Sequence, residues 1–252
     1  MTRGHHVDYD IVASEYDRRY VANRWKDLDV AIGRFLDGCE DAAVGEVGCG
    51  TGHWLAFAAS RSIARVFGVD LSRQMLARAR LNAPNAGLAR ATAEALPWAS
   101  RSLDRLLCVN ALHHFFDSRR FIAECARVLS SGGGLLVISL DPHTGFDRWW
   151  IYDYFPAALA ADRERYLSTE YLHALLADAG FVNVSTVVAQ NMPASIPFEK
   201  ARERGMLDRR WTSQLMVISD EEFASGMARL EAERPVLSAD LRLFATTAWL
   251  SA

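Results

Sequence analysis

An α/β fold with a largely parallel central sheet is predicted by three features of this 252-residue sequence. From Ala43 onward, short runs rich in leucine and β-branched residues alternate with longer runs of helical period, as strand–helix–strand units require. Val44 to Trp54 reads as a strand, a glycine-rich turn and the start of a helix. An acid, Asp70, stands at the end of the strand that follows, at the edge where such sheets receive ligands.

In chain order the expected strands are Val44 to Val47, Arg65 to Val69, Leu88 to Ala91, Arg105 to Asn110, Gly134 to Leu140, Val182 to Ala189 and Leu241 to Leu250. Helices are expected over His53 to Ser60, Ser72 to Leu81, Ser118 to Val128 and Thr169 to Ala179, where apolar residues recur at spacings of three and four. Ser72 and Ser118 are the expected N-caps. Gly132-Gly133-Gly134 is expected to stop one helix and turn into the next strand, and Gly180 to stop another. Three segments fall outside the alternation: 1–40, 141–167 and 190–236.

Half of the residues are apolar and no linker or repeat divides the chain, so residues 1–252 are expected to form one domain. Lys and Arg total 28 against 31 Asp and Glu, and a net charge of -3 offers no field for a polyanion, so nucleic acid is not the expected partner. Cys39, Cys49, Cys108 and Cys125 lack metal-ligand spacing and read as reduced thiols, with no metal expected. No apolar run approaches 18 residues and no secretory leader is visible, so neither a membrane span nor export is expected, and the cytoplasm is the default compartment. A monomer or homodimer is expected.

The turn Gly48-Cys49-Gly50-Thr51-Gly52 carries the function. Glycines there allow positive φ and let a ligand approach the backbone closely. Dinucleotide sites use G-x-G-x-x-G, with the helix N-terminus facing a pyrophosphate, whereas this turn has G-x-G-x-G. With Glu46 before it and Asp70, 18 residues beyond Gly52, after it, the stretch resembles motif I and the following strand of the class I S-adenosylmethionine-dependent methyltransferases.

Further matches follow in order. Ala91-Thr92-Ala93-Glu94-Ala95-Leu96-Pro97-Trp98, then Leu103 to Phe115 with Asn110, His113 and His114, resemble the type 11 subgroup, which includes the ubiquinone and menaquinone C-methyltransferases. Leu129 to Ile138 resembles the turn before its fifth strand, and Tyr9-Asp10-x-x-Ala13-x-x-Tyr16-Asp17 its N-terminal entry. The resemblance implies a Rossmann-like seven-stranded sheet of order 3-2-1-4-5-7-6, helices on both faces and helical lid insertions. On it, residues 1–40 are the lid, 41–140 the cofactor-binding core, and 141–167 with 190–236 the substrate side. It implies S-adenosyl-L-methionine as cofactor and S-adenosyl-L-homocysteine as product. Glu46 would orient the amino group, Gly48, Cys49, Gly50 and Gly52 would underlie the methionine and ribose parts, and Asp70 would accept the ribose hydroxyls. Tyr16, Leu71, Met75, Ala93, Glu94 and Asn110 complete the implied cofactor site. Thr92 stands where the subgroup commonly has an acid for the adenine amino group, which leaves a hydroxyl or nearby backbone to serve.

Methyl transfer is an in-line displacement at an activated carbon, so alignment in a dry site is the main demand. A hydroxyl or carbon acid also needs a base, and His113 and His114 after the fourth strand are candidates, against a packing role. Asp141 and His143, after the fifth strand, are either a pair acting on an acceptor hydroxyl or an Asp-Pro turn. Trp149, Trp150, Tyr152 and Tyr154 either wall an acceptor pocket or pack an aromatic helix face. Tyr16 and Tyr20 lie on a helical pattern that either closes over the cofactor or packs down. The expected function is methylation of a small-molecule acceptor, at oxygen or carbon rather than nitrogen or sulfur. Its alternatives are a protein that binds the cofactor without transferring the methyl group and, disfavoured by the loop spacing, a nicotinamide-dependent oxidoreductase.

Overall fold

The computed structural model describes residues 26–251, which fall into two compact units. The larger takes in residues 26–139, 169–190 and 244–251, the smaller 140–168 and 191–243. Most of the two segments that break the strand–helix alternation, 141–167 and 190–236, fall in the smaller unit. Tyr16, Tyr20 and the rest of the N-terminal segment before Lys26 lie outside the described residues.

The larger unit begins with α1 (Lys26–Phe35), which buries Leu28, Ile32 and Phe35, spaced four and three apart. Strands β1 (Ala43–Val47), β2 (Arg65–Asp70), β3 (Gly87–Arg90), β4 (Leu103–Val109) and β5 (Leu129–Ser139) form the parallel part of the sheet. β1 is buried along its whole length, as a central strand covered on both faces must be. The crossovers are α2 (His53–Ser60), α3 (Arg73–Asn82) and α4 (Ser118–Val128). α4 turns Phe121, Ile122, Cys125 and Val128 inward. Its N-cap is Asp117, whose carboxylate accepts from the Arg120 amide, and not Ser118 as expected; the side chain one residue earlier reaches the open amide of the first turn. Ser72 does cap α3, accepting from Met75.

The triple-glycine run also differs from its expected place. α4 passes directly into β5 at Leu129, and Gly132 to Gly134 lie inside the strand, where pairing with β4 shifts register between Leu103 and Arg105. Gly132, with φ of +71°, absorbs the irregularity.

After α7 (Thr169–Asp178) come β7 (Phe181–Pro197) and, last in the chain, β8 (Val236–Leu250). The sheet runs β3-β2-β1-β4-β5-β8, with β7 paired to β8 and β8 antiparallel to β5. That is the order implied by the resemblance, its last two strands being β7 and β8 here. An eighth strand, β6 (Arg148–Trp149), pairs antiparallel with the beginning of β8; two residues are too few to show a period.

The smaller unit is helical: α5 (Trp150–Tyr154), α6 (Pro156–Arg165), α8 (Phe198–Glu203), α9 (Ser213–Met216) and α10 (Asp220–Glu233). Its core gathers Trp150, Ile151, Phe155, Phe198, Leu215 and Leu230. A complete capping box, Ser219 with Glu222, starts α10. No helix among the described residues is long and apolar enough to cross a membrane.

Candidate functional site

Parallel pairing brings the carboxyl ends of β1, β2 and β4 side by side, and the loops that leave them hold the predicted residues together. Between β1 and α2, Gly48, Gly50 and Gly52 all have positive φ. Gly48 has no room for a side chain, since a Cβ there would lie 2.4 Å from the Cβ of Ala111. A Cβ on Gly52 would lie 3.0 Å from the backbone of Ala79 in α3. The loop is fixed from β2: the amides of Gly48 and Cys49 donate to the Val69 carbonyl, and the Gly50 amide donates to Asp70 Oδ2 at 2.8 Å.

Asp70 therefore has a structural duty beside the expected one. Its second oxygen accepts from the Ser72 amide at 2.9 Å, so the carboxylate ties two ligand-edge loops together. A carboxylate is an acceptor for hydroxyls as well as for amides.

Glu46 is 1% exposed, and its Oε2 has no hydrogen-bond partner. Burial, and secondarily the charge of Asp70, raise its carboxyl well above the usual range. A cation beside that oxygen would remove both penalties, which is what the ammonium of a bound amino acid supplies. The residues thus fit S-adenosylmethionine: an acceptor for its ammonium, a backbone cradle that a Cβ would fill, and a carboxylate for its ribose. Cys49 is buried at the same turn, its thiol pushed up by burial and by Glu46.

Leu71 is exposed after Asp70, whereas Met75 is buried in α3. The loop after β3 carries Thr92 and Ala93, and continues β3 by a bond from the Ala91 amide to the Asp70 carbonyl. Glu94, on the same loop, turns Oε1 to the amides of Phe116 and Asp117 at 2.8 and 3.2 Å. A second brace comes from α4: Glu124 accepts from the Leu96 amide while Arg127 donates to the Leu96 and Trp98 carbonyls. The hydrogen bond from Arg127 holds the Glu124 carboxyl below its ordinary range. The sequence reading missed this brace, whose only local signal is the three-residue spacing of Glu124 and Arg127.

Asn110 follows β4 with φ of +51° and donates its amide to the Ile138 carbonyl of β5. The chain then makes a 3-10 turn, Leu112–His114, that sets the imidazoles of His113 and His114 3.9 Å apart, both half-buried.

In the smaller unit, Asp141 is buried and accepts the His143 amide at 3.0 Å, while its carbonyl accepts from Thr144, the geometry of an Asp-Pro turn. His143 Nε2 lies 2.9 Å from the Tyr166 carbonyl, so that nitrogen carries the proton. Trp150 and Tyr152 are buried in the core, Trp149 packs edge-on to Tyr152 at 5.3 Å, and Tyr154 donates to Glu233. Trp150 and Tyr152 thus pack α5 into the core, and Trp149 belongs to β6.

Comparison with known proteins agrees with this geometry. The Methyltransferase domain family matches residues 45–137. A probable S-adenosylmethionine-dependent methyltransferase of Mycobacterium tuberculosis is 32% identical over 66% of this chain and 58% of its own length. Phthiotriol/phenolphthiotriol dimycocerosates methyltransferase 1 of Mycobacterium ulcerans is 34% identical over 61% of this chain and 56% of its own. The chain thus spans a little over half the length of these relatives. Among solved structures, the YcgJ protein of Bacillus subtilis aligns with a TM-score of 0.63 at 20% identity, covering 89% of this chain and 98% of that one, a likeness of fold.

Proposed function

We propose that this chain, whose residues 45–137 match the Methyltransferase domain family, moves the methyl group of S-adenosylmethionine to an oxygen or carbon of a small-molecule acceptor. The observation that carries the reading is Glu46, a fully buried carboxylate with an unpartnered oxygen beside the glycine turn. Such a group costs stability unless a cation meets it.

When bound, the cofactor supplies a methyl already activated by a sulfonium, so positioning and exclusion of water account for most of the barrier reduction, about 7 to 11 kcal/mol for positioning. Glu46 would hold the ammonium end, the 48–52 backbone would leave room for the ligand, and Asp70, which braces the loop, would accept the ribose hydroxyls. Glu94, Glu124 and Arg127 fix the loop that carries Thr92. His113 or His114 takes the proton of a hydroxyl or carbon acid.

The test is transfer of isotopically labelled methyl across a panel of phenols, carbon acids, carboxylates and thiols. Labelled phenol or carbon acid, with S-adenosylhomocysteine formed in equal amount, is the expected result. Tight binding of the cofactor with no transfer across the panel would overturn the reading in favour of a binding protein.

A further inference from the structure

The glycine turn is braced from α3 as well as from β2. Gly52 packs directly on that helix, where an added Cβ would stand 3.0 Å from both Cα and Cβ of Ala79 and 3.3 Å from its carbonyl oxygen. Ala79 is fully buried, and Asn82, three residues on and last in the helix, lies on the same side of it. The Asn82 Nδ2 donates to the Thr51 carbonyl at 2.9 Å, across 31 residues of sequence. A polar side chain at a helix end commonly bonds to backbone close by in sequence; this one reaches the loop that leaves another strand.

That bond completes the restraint of one peptide. The Gly52 amide donates to the Cys49 carbonyl at 2.9 Å, and with Asn82 on the Thr51 carbonyl both polar ends of the Thr51–Gly52 peptide are held. Because the peptide is planar, two such bonds fix its orientation. It leads into Gly52 at φ of +81°, where the freedom of a glycine backbone makes restraint necessary. The Thr51 side chain adds no polar restraint, since it is buried and its hydroxyl has no hydrogen-bond partner. One residue earlier, the Gly50 amide is held by Asp70, whose other oxygen takes the amide of Ser72, the N-cap of α3. Two adjacent residues of the turn are thus tied to the two ends of α3, Gly50 through Asp70 and Thr51 by Asn82.

We propose that Asn82 is a positioning residue for the cofactor: its amide fixes the Thr51–Gly52 peptide in the shape that receives S-adenosylmethionine. It acts through the backbone of the turn rather than on a reacting atom. Asn82 is exposed, so replacing it removes the bond without opening the core. The inference rests on the cofactor reading of the turn.

S-adenosylhomocysteine is titrated calorimetrically into parent and variant proteins well below the melting transition, where a loss of stability alone leaves the affinity of the folded protein unchanged. This ligand lacks the sulfonium, so a new negative charge gains no attraction from it. Asn82→Asp turns an oxygen toward the Thr51 carbonyl and at pH 8 should weaken binding by about tenfold, and Asn82→Ala, which only deletes the donor, by about threefold. Asn82→Gln keeps the donor on a longer stem and should stay within about twofold of the parent. Protonation gives the aspartate a donor again, so at about pH 4.5 the Asn82→Asp affinity should climb back toward that of the parent at the same pH. Comparison at equal pH cancels the titration of Glu46, which both proteins share. An Asn82→Asp protein that binds as tightly as the parent at pH 8, a deficit of the same size at both pH values, or an Asn82→Gln protein as weak as Asn82→Ala would each overturn the proposal. Failure of the parent protein to bind S-adenosylhomocysteine would strike instead at the cofactor reading.

Discussion

Glu46 and the pair Asp162–Arg165 are both charged groups taken out of water, yet only the first can be found by reading along the chain. Glu46 is identified by its neighbours in sequence, since an acid ending a strand before a G-x-G-x-G turn has a local pattern. Asp162 and Arg165 have the three-residue spacing of an ordinary exposed helix pair, and their burial is decided by Tyr152 and by Gln214, 52 residues beyond Asp162. The raised carboxyl of Glu46 has a signed consequence for stability. At low pH the group is protonated in folded and unfolded chains alike; above the ordinary value of 4.5 the unfolded chain ionises first. The ligand-free protein should therefore lose stability as pH climbs from 4.5 toward the raised folded value. Glu46→Gln should remove that slope and make the protein more stable at neutral pH. It should also weaken S-adenosylhomocysteine by about tenfold through loss of a charge-assisted hydrogen bond. Urea unfolding between pH 5 and pH 8, with calorimetry of the same variant, checks both outcomes; a variant less stable at neutral pH than the parent would contradict the account.

At the scale of elements, periodicity was sufficient for the seven strands and for α2, α3, α4 and α7, because each is long enough to repeat its own spacing, whereas α1 falls in the 1–40 segment set outside the alternation. It was insufficient for β6, which is two residues long, and for the α4–β5 junction, where the glycines serve a register shift inside the strand. The elements of the smaller unit were set apart in sequence but not resolved, since short helices such as α8 and α9 show no full period. One contact among them is demanding. Gly226 of α10 lies so close to α5 that an added Cβ would stand 2.3 Å from the Phe155 ring and 2.7 Å from the Tyr154 carbonyl. Gly226→Ala should cost about 1 to 3 kcal/mol by overpacking, despite the better helix propensity of alanine. Chemical denaturation monitored by tryptophan fluorescence measures it, and a neutral or stabilising result would mean that the two helices can separate freely. The brace on the loop of Thr92 is testable in the same way. Glu94→Ala deprives two amides of their acceptor and should weaken S-adenosylhomocysteine, whereas Glu94→Gln, which still offers Oε1, should largely restore it.

Across the whole molecule, what was legible was the cofactor class rather than the acceptor. The groups proposed for the cofactor are backbone turns and strand ends whose spacing is local in sequence, while the buried polar groups of the smaller unit converge from Tyr152, Asp162 and Gln214. The same distinction separates two nucleoside ligands. A dinucleotide needs a pyrophosphate over a helix N-terminus, and here α2 is entered through Gly52 in the left-handed region, with Asp70 Oδ2 occupying the Gly50 amide. A carboxylate on that amide repels a phosphate and tolerates a sulfonium. S-adenosylhomocysteine at about 100 times its dissociation constant should therefore add roughly 2.7 kcal/mol to stability. For a chain of this length that corresponds to a rise of about 5 °C in melting temperature, with NAD at the same concentration giving none. Where the two units melt separately, the rise should fall on the transition that contains the glycine turn. Differential scanning calorimetry with each ligand reads both quantities, and an equal response to NAD would reverse the assignment of the cofactor from the glycine spacing.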